Sequence, residues 1–212
     1  MGAIPWWLWR EWRRLSGGRM SETFVIPTYL THYYTGQPFR SLTELTPVER
    51  ARVVEASDFP EEDRRLRSAF YFEQRLGYEA LMYEQFLAKG GQPNRHRPHY
   101  AVRGESEIWA RITEQSLRIP LSNIPACQVS FTYTDRWPTY VDRDLDGNFI
   151  PRKPQYGTLY RLDELAELFR AHGWPGERRK TESNWEHDLY VEAQIWSDER
   201  FFAGYRAADG AA

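Results

Sequence analysis

The chain predicts an α+β fold: a single domain in which a mostly antiparallel or mixed sheet packs against one long helix and two or three shorter ones. Three observations lead there. Residues 128–133 and 189–196 alternate side-chain character with the two-residue period of strands. Residues 58–89 carry apolar side chains at three- and four-residue spacing, the period of a helix. The strand-like and helix-like segments lack the regular alternation that a parallel βα sheet requires.

Composition narrows the class. The 212 residues suffice for one large domain, and no low-complexity stretch or long Ser/Gly/Pro linker divides them. Residues 20–203 read as that domain, 1–19 as a Trp- and Arg-rich extension and 204–212 as a tail. Aromatic residues make up 16% with nine Trp, enough rings to build a core without much Leu or Val. So many Trp are also compatible with a homodimer, since rings are enriched at interfaces. The formal charge is -2 and the pI about 6.2. That balance argues against general nucleic-acid binding, which needs a basic face to collect phosphates. Among the 28 basic residues only Lys89, Lys153 and Lys180 are lysine. A GC-rich genome is the plainer explanation, and a need for Arg forks the sharper one. The lone Cys127 makes no internal disulfide and no Cys-based zinc site, and reads as a small buried hydrophobe. No apolar run reaches the length of about eighteen residues expected of a membrane span. A reducing cytoplasm is the expected compartment.

The elements follow in order. In residues 1–19, Leu8, Trp9, Trp12 and Leu15 share one helical face, with Arg10 and Arg14 opposite. That pattern suits a helix docking on a partner or a membrane surface. Met20 is an alternative start, which would leave this piece untranslated. Residues 24–30 read as an entry strand interrupted by Pro27. Ser41-Leu42-Thr43-Glu44 and Thr46-Pro47-Val48-Glu49 are two capping boxes, the second opening a helix over 47–57. The long helix begins in the acidic turn 58–63 and stops at Gly90-Gly91. Leu66, Ala69, Phe70, Leu76, Ala80, Tyr83 and Leu87 are its expected buried stripe. A basic turn at 95–98 leads into a short strand, and 117–121 and 128–133 are further strands. A hairpin is expected around the Asp-Gly turn in 139–150. Residues 158–162 end a strand, and 163–172 form a helix stopped by Gly173 and Pro175. The final strand covers 189–196.

Two stretches carry the candidate site. Residues 29–42 pack Tyr29, His32, Tyr33, Tyr34 and Arg40 closely together, a mixture of flat faces, polar tips and one cation that suits a small-molecule pocket. The edge of a core is the plainer use of the same residues. In the last strand Glu192, Gln194 and Trp196 share one face, and a carboxylate there needs a partner if buried. The order His32, then Tyr100, then Glu192 is similar to the His-Tyr-Glu order of ADP-ribosyltransferase-like folds. That likeness implies NAD chemistry, with His32 and Glu192 as catalytic residues.

Metal motifs are weaker. Asp142, Asp144, Asp146 and Gly147 match the first half of a calcium loop, but Lys153 stands where the bidentate Glu belongs. A plain hairpin turn explains the segment as well. His96 and His99 are spaced like ligands without a nearby Cys or acidic partner. No cofactor is called for.

The run Tyr29-Leu30-Thr31-His32-Tyr33-Tyr34, then Pro38-Phe39-Arg40-Ser41-Leu42, Lys89-Gly90-Gly91, Ile119-Pro120-Leu121-Ser122 and Val129-Ser130-Phe131-Thr132-Tyr133 resembles a family of uncharacterised bacterial proteins. The resemblance spans roughly residues 25 to 200 and carries no functional residues across. The expected function is binding of a small molecule or a protein through residues 29–40 and the polar face of 189–196. The alternatives are the transferase-like enzyme and an interaction protein docking through its N-terminal helix.

Overall fold

The computed structural model describes residues 25–56, 69–133, 155–175 and 190–209. The N-terminal extension, the start of the long helix, and the calcium-like loop with Asp142, Asp144 and Asp146 lie outside these residues. The strands are β1 (Tyr29–Tyr34), β2 (His99–Arg103), β3 (Gln115–Pro120), β4 (Val129–Thr132) and β5 (Glu192–Ile195). The helices are α1 (Pro47–Ala56), α2 (Ala69–Ala88), α3 (Glu107–Ile112), α4 (Leu165–His172) and α5 (Glu199–Asp209). The strands form one sheet in the order β3-β1-β2-β5-β4, and each pairing is antiparallel, which fits an α+β fold.

Strand pleating divides the side chains between two faces. Paired residues share a face, so Thr31, Val102, Glu192 and Thr132 line up across the sheet. Tyr100, Gln194 and Ser130 form the next row of that face. Leu30, Ala101, Ile119, Val129, Phe131, Ala193 and Ile195 take the other face and build the main core with Leu165 and Leu168 of α4 and Phe202 of α5. The first face lies against α2, through Tyr78, Met82, Phe86, Leu159 and Trp196. β5 is buried on both sides, so the polar face expected at 189–196 lies inside the protein. The alternation expected of 128–133 is likewise hidden, because all four residues of β4 are buried.

Local chemistry explains most boundaries. The Thr46–Glu49 capping box forms: Thr46 N–H donates to Glu49 Oε2 at 2.9 Å and Glu49 N–H to Thr46 Oγ1 at 3.3 Å. The Ser41–Glu44 box does not. Ser41 instead bonds Thr43 at 2.8 Å, Glu44 turns away to Arg95, and only a short 3₁₀ turn, Leu42–Glu44, results. α2 ends in a Schellman motif, with Gly90 at φ +81°, Gly91 N–H on Phe86 O at 2.8 Å and Gly90 N–H on Leu87 O at 2.9 Å. Gly173 closes α4 at φ +78°, with its N–H on Phe169 O at 2.8 Å.

Several expectations are corrected. The first strand begins at Tyr29 rather than at 24, because the sheet partner β3 ends opposite it at Pro120. The stripe expected on α2 has the wrong phase. Ala80 and Leu87 are exposed, while Phe72, Arg75, Glu79, Met82 and Phe86 face inward. α3 had no counterpart in the sequence reading; Ser106 caps it by accepting from Trp109 N–H. The expected tail from 204 is helical through Asp209, because Phe202 anchors α5 in the core. Residues 158–162 contribute a single bridge, Tyr160 to Phe131, in place of a strand. Cys127 is only half-buried, in a 3₁₀ turn.

A Cβ on Gly91 would stand 2.6 Å from the Phe86 ring, which has no exposed surface to move into. Gly91→Ala is expected to lose about 1–3 kcal/mol of unfolding free energy through overpacking. Urea titration checks this, and an unchanged midpoint would refute it.

Candidate functional site

The residues expected to act together are separated by the pleat. Glu192 shares its face with Thr31, whereas His32, one residue on, points to the opposite side. His32 and Glu192, expected as a catalytic pair, therefore do not face one ligand on a single side of the sheet. The aromatic stretch splits in the same way. Tyr29 and Tyr33 lie on the Glu192 face; His32 and Tyr34 lie over the main core. Tyr33 accepts from Ser106 N–H through its hydroxyl at 2.9 Å, and Tyr29 lies beneath the Arg118 guanidinium at 4.8 Å. Arg40 is exposed at the surface and belongs to neither group.

His32 is a structural pin. Its Nδ1–H donates to Tyr100 O at 2.8 Å and its Nε2 accepts from Phe39 N–H at 2.9 Å, which assigns the neutral tautomer. Phe39 stacks on the imidazole at 4.4 Å with the planes 9° apart. It does so at φ +56°, a left-handed conformation unusual for a ring-bearing residue. Burial withdraws the imidazole from water and lowers its pKa to about 4, against the smaller opposing effect of the Tyr100 carbonyl. Both ring nitrogens are occupied, so His32 has none to offer a substrate.

His96 and His99 also diverge. His99 lies buried between Phe39 and Phe202 and meets Arg95, while His96 packs on Tyr83 of α2. They do not form the ligand pair their spacing suggested. Among the described residues no group of three metal-ligating side chains converges.

A polar network occupies the face under α2. Trp196 Nε1–H donates to Ser130 Oγ at 2.8 Å, and Ser130 donates to Gln194 Oε1 at 3.1 Å. Gln194 Nε2 then donates to Thr132 Oγ1 at 3.3 Å and Glu192 Oε1 at 3.2 Å. Every member is buried, and Ser130, Thr132, Gln194 and Trp196 have no exposed surface at all. Such a network specifies one arrangement, because a lost partner leaves a dry polar atom.

Tyr100, the cross-strand partner of Gln194, joins this network to α2. Its hydroxyl donates to Glu79 Oε1 at 2.8 Å. Arg75 Nε donates to the same oxygen at 3.1 Å and holds its guanidinium 5.0 Å over the Tyr100 ring. Two donors therefore converge on Glu79 Oε1. The other oxygen, Glu79 Oε2, is buried with no hydrogen-bond donor among the described residues.

The chain matches no family model, no curated protein and no solved structure.

Of the residues marked by sequence, Tyr100, Glu192, Gln194 and Trp196 meet on this face, while His32, Tyr34 and Arg40 do not. Arg75 and Glu79 were missed. Their signal was present: a charged pair at i, i+4 inside an aromatic helix, in step with Phe72, Met82 and Phe86.

His32 supplies a pH test. Its folded pKa lies below the unfolded value of 6.5, so the unfolded chain binds the extra proton. The stabilisation is complete above pH 6.5 and lost as pH falls toward about 4, up to about 3 kcal/mol in all. An NMR titration should keep the His32 ring neutral down to about pH 4; titration near 6.5 would contradict the pinned geometry.

Proposed function

We propose that this chain is a binding protein, and that it takes a small ligand rich in hydrogen-bond donors between α2 and the polar face of β2 and β5. The observation that carries the reading is Glu79 Oε2, a buried carboxylate oxygen with no donor among the described residues. A buried carboxylate oxygen left unpaired is costly, and an ammonium or hydroxyl donor from a ligand removes that cost. The acceptor is held in position beforehand: Arg75 and Tyr100 fix Oε1, and Oε2 is thereby aimed. Preorganisation of this kind raises affinity, because no side chain must be ordered on binding. Tyr83 and Tyr100 are half-buried at the same place, which keeps the site one side chain away from solvent. A cytoplasmic setting goes with this reading, since the lone thiol has no internal disulfide to form.

The test is a thermal-shift series on the full chain with ethanolamine, putrescine and ribose. An amine or polyol that binds the native state raises the midpoint by mass action, by about 2.7 kcal/mol at a hundredfold excess over its dissociation constant. Glu79→Gln is expected to remove the shift, and Tyr100→Phe to weaken binding about tenfold, or about 1.4 kcal/mol, by freeing the carboxylate. An unresponsive wild type, or an equal response in Glu79→Gln, would end this reading.

A further inference from the structure

A second group stands apart from that site, on the opposite face of the sheet. Arg103 ends β2 and its residue surface is 9% exposed. Its Nε–H donates to Pro27 O at 3.1 Å, the only acceptor it has among the described residues. Nη1 is buried without a partner among the described residues. No carboxylate among the described residues pairs with the guanidinium, although the chain carries 30 acidic residues. The guanidinium lies 5.5 Å from the Phe131 ring centre and 5.7 Å from that of Phe169. Trp174 packs edge-on against Phe169 at 4.8 Å.

A guanidinium has five donors in a planar fork, and one of them is used among the described residues. Burial without a counter-charge destabilises the charged form, and cation–π contact with two Phe rings offsets only part of that. The missing element is an anion with two oxygens in a plane. The surroundings set its body: the rings of Phe131 and Phe169 flank the guanidinium, and no second cation that a dianion would need is seen on Arg103 among the described residues. Phe169, Trp174 and Pro27 are half-buried, so the fork lies a single layer beneath the surface.

We infer that Arg103, with Phe131 and Phe169, forms a binding site for a small monocarboxylate with an apolar or aromatic body. This site is independent of Glu79, because the two groups lie on opposite faces of the sheet.

The test uses the full chain with benzoate as probe, and acetate and inorganic phosphate as comparisons. Benzoate is expected to bind saturably by isothermal titration calorimetry, at least about tenfold more tightly than acetate or phosphate. Arg103→Met should abolish that binding while its unliganded melting temperature stays equal or rises, since an unpaired buried charge is removed. Arg103→Lys keeps the charge without the planar fork and should bind about tenfold more weakly. A direct measurement on the wild type stands beside the variants: benzoate should shift one arginine Nε–H resonance, the one missing from the Arg103→Lys spectrum. Absence of saturable benzoate binding to the wild type overturns the inference. Benzoate affinity unchanged in Arg103→Lys, or an unmoved Arg103 resonance, overturns it equally.

Discussion

A residue in a strand faces one side of its sheet, and the next residue faces the other. That constraint decides what the chemistry-bearing side chains of this protein can do together. Glu192, Gln194 and Tyr100 are gathered on one face. His32 and His99 are sent to the other, where they pack among Phe39 and Phe202. Register, and not sequence proximity, sorts a run of aromatic and ionisable residues into core filler and candidate site.

The two faces are stabilised differently. The core under α4 and α5 rests on apolar burial: Phe131, Val191, Ala193, Ile195 and Phe202 expose nothing. The face under α2 carries Ser130, Thr132, Gln194 and Glu192 in its middle, so it gains less from burial and more from satisfied hydrogen bonds. Trp196 reconciles the two demands. Its ring packs on Phe86 at 5.6 Å while its N–H bonds Ser130.

The fold class was legible in the sequence because strand alternation and capping are local. Thr46 and Glu49 opened α1 as their spacing promised, and Gly90 with Gly91 closed α2. The phase of α2 was not legible from apolar periodicity, because Arg75 and Glu79 lie in the buried stripe while Leu81 and Leu87 face solvent. α3 is only six residues long and depends on Ser106 and the distant Tyr33 hydroxyl, a contact made only by the fold. The candidate site was half visible. The strand supplied Glu192 and Gln194, but the register that parts them from His32 is a property of pairing between distant segments, which no local pattern reports.

The sheet order has a consequence for how the chain is made. β1, β2 and β3 are complete within the first 120 residues, yet β2 finds its second neighbour only in β5, near the C-terminal end. Until β5 leaves the ribosome, the free side of β2 is an open edge of unpaired backbone groups beside an uncovered apolar face. β4 waits for the same strand, with Tyr160 bridging its far side. Closing such a long loop delays folding and leaves the nascent chain open to pairing with its neighbours. A stop or frameshift before residue 192 would therefore leave the three-stranded sheet β3-β1-β2 and the lone strand β4 without the strand that joins them.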